Sequence, residues 1–151
     1  SGSGSGSGDN GDNGDNGDNG DNQYLLPIVQ ADGSSELQAA SLAIDGDLAT
    51  SWASYWGNSS WFTIDLGQGY DLAKVKIFWQ QLTPSDYIIQ GSLNNASWYT
   101  LSQQTDGTFG PRTDEVTITG HYRYIRLYAT ARSQGNTEGY AISEIQVYSP
   151  E

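Results

Sequence analysis

The sequence predicts an all-β protein with the architecture of a β-sandwich or a jelly roll. From Ser60 onward, short runs in which apolar and polar residues alternate recur along the chain, and turn-forming residues separate them. Seven runs follow one another: SWFTIDL, LAKVKIFW, DYIIQGS, SWYTLSQ, DEVTITG, YRYIRLYA and ISEIQVY. Many short strands with turn signals between them are typical of two-layer β architectures.

The first 22 residues differ in composition from the rest of the chain. They contain Gly and Ser, then a Gly-Asp-Asn repeat, and no apolar side chain. We therefore predict a flexible linker for residues 1–22 and one folded domain for residues 23–151. Calcium binding by the repeated aspartates is an alternative, but the repeat lacks the apolar position of calcium-binding nonapeptide rolls and the glutamate that closes an EF-hand loop.

One segment before the predicted strands has helical spacing. In SSELQAASLAI, apolar residues recur loosely at Leu37, Ala40 and Leu42 or Ala43. The segment is short, so we expect a loop with one turn. No alternation of strands and helices follows, which excludes a phosphate-binding Rossmann or P-loop site.

The predicted strands assign residues to opposite faces of a sheet. In LAKVKIFW, Val75, Ile77 and Trp79 share one face, and in YRYIRLYA, Ile125 and Leu127 lie opposite the intervening residues. The separators GQGYD, LTPSD, LNNAS and TDGTFGPRTD carry the chemistry of turns. Each strand is therefore expected to have one side in a core.

Composition excludes several classes of function. The chain has no cysteine and a single histidine, His121, which excludes disulfides and thiol chemistry and leaves few ligands for zinc. Its net charge is −12, of which five aspartates before residue 23 supply −5, so the domain carries −7. Such a domain repels nucleic acid and anionic lipid, and a cationic or neutral ligand fits better. No apolar run reaches the roughly 18 residues of a membrane span, and no signal peptide is evident.

The segment SLAIDGDLATSW gathers oxygen ligands in a short stretch. Asp45 and Asp47 flank a glycine, and Thr50 follows, so carboxylates, a hydroxyl and backbone carbonyls can converge on a calcium ion. Spacing alone favours an ordinary Asx-type turn. A pair of catalytic carboxylates is a third interpretation, but residues two apart in a tight turn seldom face each other across a sugar ring.

Several segments, taken in order, resemble a known family. The segments are SLAIDGDLATSW, WFTIDLGQGYDLAKVKIFWQ, DYIIQGSLNNASWYTL, RYIRLYATAR and GYAISEIQVY. From about Ser34 to Tyr148 they resemble the discoidin (coagulation factor 5/8 type C) domain, and in particular its sugar-binding branch, carbohydrate-binding module family 32. The resemblance implies a jelly-roll β-sandwich (discoidin-like, galactose-binding-domain-like) with a structural calcium ion.

The resemblance also implies the ligands of that ion. They are the side-chain oxygens of Asp45 and Glu144, oxygens of Asp47 and Thr50, and the carbonyls of Leu42 and Ala141. The ion would join an early loop to the last strand and close a loop of about 99 residues, which stabilises the fold.

The sugar site of the family lies at one end of the sandwich, near the calcium loop. Its positions correspond here to Glu36, Trp56, Gln80 or Gln81, and Tyr140. Two neighbours join this set: Tyr55, beside Trp56 in the polar segment SYWGNSS, and Trp79, for which a core position and a place on the rim of the site are equally consistent with the pattern. An exposed aromatic ring beside planar polar groups is suited to bind a sugar.

Other conspicuous residues have structural interpretations. Trp52 and Trp61 correspond to buried tryptophans of the family, so both are expected in the core. Arg112 and Arg132 lie in predicted loops, and we assign them no role beyond solubility.

Departures from the family pattern narrow the expected ligand. Ala53 replaces the histidine that many galactose-binding members carry, which disfavours galactose. At the end of the central strand, Gln80 or Gln81 replaces a glutamate found in chitosan-binding members, so a neutral β-glucan fits the sequence as well as chitosan does. Glu36 and Glu138, in contrast, suit a cationic glucosamine polymer.

The sequence thus predicts a non-catalytic carbohydrate-binding module, joined through its N-terminal linker to a secreted glycan-acting enzyme. A monomer is expected, with no nucleic-acid partner and no membrane association. The alternatives are an adhesion-type discoidin domain that binds a cell-surface glycan, protein or lipid, and a small glycoside hydrolase.

Overall fold

Two antiparallel β-sheets form the domain in the computed structural model, which describes residues 23–150. The strands are β1 (Gln23–Leu25), β2 (Gln30–Gly33), β3 (Trp52–Ala53), β4 (Ser60–Asp71), β5 (Lys74–Trp79), β6 (Pro84–Ser92), β7 (Tyr99–Gln104), β8 (Arg112–Thr117), β9 (His121–Arg132) and β10 (Ala141–Pro150). The first sheet has the order β2-β4-β9-β6-β7, and the second has the order β1-β10-β5-β8, with β3 also paired to β10. The predicted all-β sandwich is confirmed.

The core lies between the two sheets, as the alternation of the strands predicts. Val75 and Ile77 of β5 are fully buried, and Ile125 and Leu127 of β9 are buried opposite them in the first sheet. Burial of each such side chain stabilises the fold by about 1.5–3 kcal/mol. All seven predicted strands are present, and the alternation therefore located the core correctly.

The structure also departs from the sequence prediction in its elements. Three short strands, β1, β2 and β3, carry no alternating run long enough to detect. The predicted turn GQGYD is wrong, because β4 continues through it to Asp71. Gly67 has a φ of +89°, which glycine tolerates, and the pairing of β4 with β9 shifts between Tyr122 and Tyr124, so the chain forms an irregularity there instead of a turn. The predicted single turn before β3 is confirmed as a 3-10 helix, Ala40–Ala43.

The two tryptophans expected in the core have different environments. Trp52 is buried, and its ring centroid lies 4.9 Å from that of Phe62. The prediction for Trp61 is wrong, because Trp61 is one residue out of phase with Phe62 and lies on the outer face of β4, half-buried opposite Tyr128.

Trp79, which shares the inward phase of Val75 and Ile77, belongs to a hydrogen-bonded cluster around Asp114. The carboxylate oxygen Oδ2 of Asp114 accepts a bond from Trp79 Nε1 at 3.0 Å and one from the Tyr87 hydroxyl at 2.6 Å. Arg112 Nε donates to Asp114 Oδ1 at 3.1 Å. Trp79 is buried, so the interpretation that placed it on the rim of the sugar site is wrong. Arg112 is part of the cluster, so its role goes beyond solubility.

Three loops meet at one end of the sandwich. They are the loop between β3 and β4 (54–59), the loop between β5 and β6 (80–83) and the loop between β9 and β10 (133–140). Backbone bonds join them: Ser54 N donates to Tyr140 O, Ala141 N to Leu82 O and Ser133 N to Thr83 O. Within residues 23–150, no helix has the length and apolarity that a membrane span requires.

Candidate functional site

The candidate binding surface, here called the loop site, lies where these three loops meet. It consists of Tyr55, Trp56, Asn58, Gln80, Gln81, Arg132 and Glu138.

Trp56 is the most exposed large aromatic residue of this surface. Its exposed fraction is 76%, and that of the neighbouring Tyr55 is 57%. Bonds of the backbone on both sides hold the loop: Tyr55 N donates to Ser35 Oγ at 3.0 Å, and Gly57 N donates to Glu138 O at 3.2 Å. The predicted exposure of both aromatic residues is confirmed.

Arg132 supports the indole of Trp56. Its guanidinium carbon lies 5.5 Å from the centroid of the ring, a cation–π contact. The same guanidinium donates from Nε to Asn58 Oδ1 and from one terminal nitrogen to Glu138 O, both at 2.9 Å. Arg132 therefore joins two loops beneath an exposed ring. The sequence gives no signal of this role, because Arg132 is the last residue of β9, where the pairing with β6 is irregular.

The two glutamines lie at the same end of the sandwich. Gln80 N donates to Ala141 O at 3.0 Å, and Ala141 is paired with Ala53 of β3. Both glutamine side chains are exposed, and Gln80 Oε1 accepts from the backbone N–H of Gln81. Because an amide group can both donate and accept, these side chains are suited to bind sugar hydroxyls.

Glu36 is anchored within its own loop. Its Oε1 accepts from Ala40 N at 2.8 Å, at the start of the 3-10 helix, and its Oε2 accepts from Gly33 N at 3.5 Å. The loop of Glu36 adjoins the loop site through Ser35 and Tyr55. Glu36 is exposed, so its remaining acceptor capacity faces solvent.

A second cluster of polar atoms, here called the acidic loop, is formed by Leu42, Asp45, Asp47 and Thr50. Thr50 Oγ1 lies 2.6 Å from Asp45 Oδ2, 3.1 Å from Asp47 O and 3.3 Å from Leu42 O. The hydroxyl has one hydrogen for three oxygens, so oxygen atoms converge without matching donors. Its bond to Asp45 is the main reason that the pKa of this carboxyl lies below its usual range.

Glu144, on strand β10 of the second sheet, faces the acidic loop. Both of its carboxylate oxygens accept from Gly46 N at 3.2 Å, and the side chain is buried. Burial raises the pKa of Glu144, and the nearby Asp45 and Asp47 raise it further. Carboxylate, hydroxyl and carbonyl oxygens therefore lie close together with no positively charged side chain of the described domain among them. Oxygens of these kinds are the ligands that calcium prefers. Residues 23–150 hold no group of three His, Asp or Glu side chains that could bind a metal alone, so an ion would also depend on Thr50 and the carbonyls.

Comparison with known proteins identifies the family. The family model described as "F5/8 type C domain" matches residues 29–145. The chain belongs to the F5/8 type C domain family. No curated protein sequence matches the chain significantly.

Solved structures similar to this F5/8 type C domain include modules from carbohydrate-active enzymes. Chitosan-binding module 1 of a chitosanase/glucanase from Paenibacillus sp. IK-5 is 34% identical, with a TM-score of 0.72 over 82% of this chain and 96% of that one. Chitosan-binding module 2 of the same enzyme, in complex with chitotriose, is 32% identical, with a TM-score of 0.72 over 82% and 97%. A family 32 carbohydrate-binding module of C. perfringens NanJ, in complex with galactose, shares the fold at 20% identity, with a TM-score of 0.71 over 83% and 98%.

Two positions implied by the family resemblance do not fit the geometry of this F5/8 type C domain. Tyr140 is fully buried, and its hydroxyl donates to the Asn58 carbonyl, so it is not an exposed sugar contact. Burial raises the pKa of Tyr140 to about 12, which keeps the hydroxyl protonated. The Ala141 carbonyl accepts from Gln80 N, and Ala141 precedes Glu144 by three strand residues, about 10 Å. The structure therefore does not bring Ala141 to the acidic loop.

Proposed function

We propose that this F5/8 type C domain is a non-catalytic carbohydrate-binding module whose loop site binds a gluco-configured oligosaccharide. The observation that carries the proposal is the exposed fraction of Trp56, 76%, in a loop that Arg132 and Glu138 hold in place. A large apolar ring that is both exposed and supported is a typical ligand platform. The indole would stack on the C–H face of a sugar ring.

The polar groups around Trp56 suit a ligand rich in hydroxyls. Gln80 and Gln81 are neutral amides, and Asn58 presents a side-chain oxygen that Arg132 already uses. Neutral amides recognise hydroxyls without requiring a charged sugar. They support a β-glucan, while the similarity to two chitosan-binding modules above 30% identity supports chitosan.

The acidic loop is proposed to hold a structural calcium ion. Asp45, Asp47, Thr50 and the Leu42 carbonyl would bind it from the loop, and Glu144 from β10. The ion would supply positive charge among these oxygens, and its role would be to stabilise the fold and the adjoining loops. It would take no part in a reaction.

A targeting role would follow from such a site. We propose that the domain is secreted and monomeric and that residues 1–22 connect it to a glycan-acting enzyme, because tethering raises the concentration of an enzyme at its polysaccharide. A shallow site with one main stacking ring typically binds with a Kd in the micromolar to millimolar range.

The test is titration calorimetry of the full chain with chitosan and β-glucan oligosaccharides and with galactose. We expect Trp56→Ala to weaken binding of the preferred oligosaccharide at least about tenfold, which corresponds to about 1.4 kcal/mol. Tyr99→Ala is the matched control, because Tyr99 is 59% exposed and pairs with Gly91 near the opposite end of the first sheet. Retained affinity in Trp56→Ala would contradict the loop site, and release of reducing sugar from any of these polysaccharides would contradict the non-catalytic assignment.

A further inference from the structure

The outer face of the first sheet carries a compact cluster of aromatic residues around one arginine. This cluster, here called the sheet-face cluster, consists of Trp61, Gln90, Trp98, Arg126 and Tyr128. Along β9, the residues between these positions point into the core, so Arg126 and Tyr128 point outward. Tyr128 is paired with Trp61 of β4, and Arg126 is paired with Gln90 of β6, which makes the side chains immediate neighbours.

Aromatic rings and one amide surround the guanidinium of Arg126. Its central carbon lies 4.4 Å from the Trp98 ring centroid and 5.6 Å from that of Tyr128. Its Nε donates to Gln90 Oε1 at 2.7 Å. Over residues 23–150, neither terminal nitrogen of Arg126 has a hydrogen-bond acceptor, whereas both terminal nitrogens of Arg112 and one of Arg123 donate such bonds. These donors are therefore available to a ligand.

Most basic residues of this chain are ion-paired, but among residues 23–150 Arg126 has no counter-ion. There are 18 acidic residues and six basic ones, and four of the basic residues lie within 4.0 Å of a carboxylate. In the described part of the chain, the two basic residues without such a partner are Arg126 and Arg132, both on β9 and both stacked on a tryptophan. A partly buried cation without a counter-ion costs free energy that a bound carboxylate would offset.

The nearest acid in the same row across the sheet is too distant to neutralise Arg126. Asp32 is paired with Thr63, which is paired with Arg126, so Asp32 lies two strands away, about 10 Å. Asp32 also accepts a bond from Gln30 Nε2 at 3.1 Å. The positive charge of Arg126 therefore remains available on an aromatic surface.

The aromatic residues of the cluster indicate which class of carboxylate-bearing ligand Arg126 would bind. No side-chain hydrogen bond is made by Trp61, Trp98 or Tyr128 to any residue between 23 and 150. Their rings can stack on a sugar ring, and their N–H and O–H groups can bond its hydroxyls. Anionic lipid surfaces are recognised by several cations together, and Arg126 is the single cation of the sheet-face cluster. A sugar ring that bears a carboxylate matches both the rings and the planar guanidinium.

We propose that the sheet-face cluster is a second glycan-binding surface, which binds the uronic acid residues of an acidic polysaccharide. Arg126 binds the carboxylate through its terminal nitrogens, and Trp61 and Tyr128 contact the sugar ring. The surface is independent of the loop site and does not rest on the function proposed for it. The net charge of −12 opposes any polyanion, so binding comes from local contacts and is strongest where salt screens the distant acids.

Affinity electrophoresis of the full chain in gels that contain polygalacturonate tests the proposal. At an ionic strength of about 0.15 M, where the Debye length is about 8 Å, we expect polygalacturonate to retard the protein and its fully methyl-esterified form to have no effect. Arg126→Gln removes the charge but keeps a polar side chain, and we expect it to raise the Kd at least about tenfold. Arg123→Gln, which alters an arginine of the same strand that is paired with Asp65, is the matched control and keeps the affinity.

Four results would overturn the proposal. The first is the absence of retardation of the unmodified chain, and the second is equal retardation of Arg126→Gln. The third is loss of polygalacturonate binding in Trp56→Ala, which would assign the carboxylate to the loop site. The fourth is equally strong binding of poly-L-glutamate, which would indicate a protein partner. If Arg126→Gln fails to fold, Arg126→Lys serves in its place: it keeps the charge and loses the planar pair of donors, so undiminished binding would overturn the bidentate contact.

Discussion

At the scale of single residues, the loop site contains an exposed residue that can contact a ligand and other residues that hold it in place. Trp56 presents its ring to solvent, and Arg132 lies against that ring. Tyr140 acts from inside the domain, because its buried hydroxyl donates to the carbonyl of Asn58, which lies in the loop that carries Trp56. Tyr140 is therefore a positioning residue, and its contribution to binding is indirect.

Tyr140→Phe tests this assignment. Removal of the hydroxyl leaves the Asn58 carbonyl without this donor, so we expect a loss of about 1 kcal/mol in the free energy of unfolding and a weaker effect on sugar affinity than that of Trp56→Ala. Urea denaturation and calorimetry measure the two quantities. Tyr148→Phe is the control, since its half-buried hydroxyl binds only the Gln146 side chain. Complete loss of sugar binding with unchanged stability would instead make Tyr140 a direct contact.

At the scale of elements, β10 connects most of the structure around the candidate sites. It pairs with β1, β3 and β5, and its Glu144 binds Gly46 of the acidic loop, 98 residues earlier. The contact is made by one backbone N–H and a buried carboxylate whose pKa is raised by burial. A cation at this position would strengthen a link between an early loop and the last strand that is otherwise weak.

Removal of calcium tests the link between β10 and the acidic loop. We expect calcium to raise the Tm of the full chain and EDTA to lower it, because an ion that binds only the folded state stabilises by about 2.7 kcal/mol at one hundred times its Kd. Thermal melts measure this, and we expect Glu144→Gln to lose most of the calcium response. Glu115→Gln, which alters an exposed acid on the distant β8, is expected to keep it. Identical melts in calcium and in EDTA would refute the proposed ion.

At the scale of the whole molecule, the chain carries an excess of negative charge. The chain has a net charge of −12, and four of its six basic residues are paired with acids. The field of the domain therefore attracts cationic glycans and repels anionic ones, apart from local sites such as Arg126.

Ionic strength separates this field from the contacts of the loop site. Raising the ionic strength from about 0.01 M to about 1 M shortens the Debye length from about 30 Å to about 3 Å. We expect the affinity for chitosan oligosaccharides to fall over this range and the affinity for neutral β-glucan oligosaccharides to stay constant, because only the former carry charge. Calorimetric titrations at several salt concentrations measure both. An equal response of the two ligands would show that the field of the domain does not contribute.

The amino-acid sequence by itself determined the fold class and much of the strand pattern. Apolar alternation requires only local periodicity, so the faces of β5 and β9 could be assigned without coordinates. The exposure of Tyr55 and Trp56 followed in the same way, because no strand pattern surrounds them. The family resemblance was confirmed, and it pointed to the end of the sandwich where the loop site lies.

The tertiary structure alone decided which side chains meet, because contacts between residues distant in the chain leave no local signal. Trp79 shares the inward phase of Val75 and Ile77, but its bond to Asp114, 35 residues away, is a tertiary contact, as is the bond of the buried Tyr140 to Asn58, 82 residues away. Trp61 was assigned to the core because it corresponds to a buried tryptophan of the resembled family, although its phase in β4, one residue from that of Phe62, places it on the outer face. The lack of an ion pair for Arg126 within residues 23–150 is likewise a property of three-dimensional packing, because the sequence contains ample acids and only the sheet shows which of the described ones lie far from it.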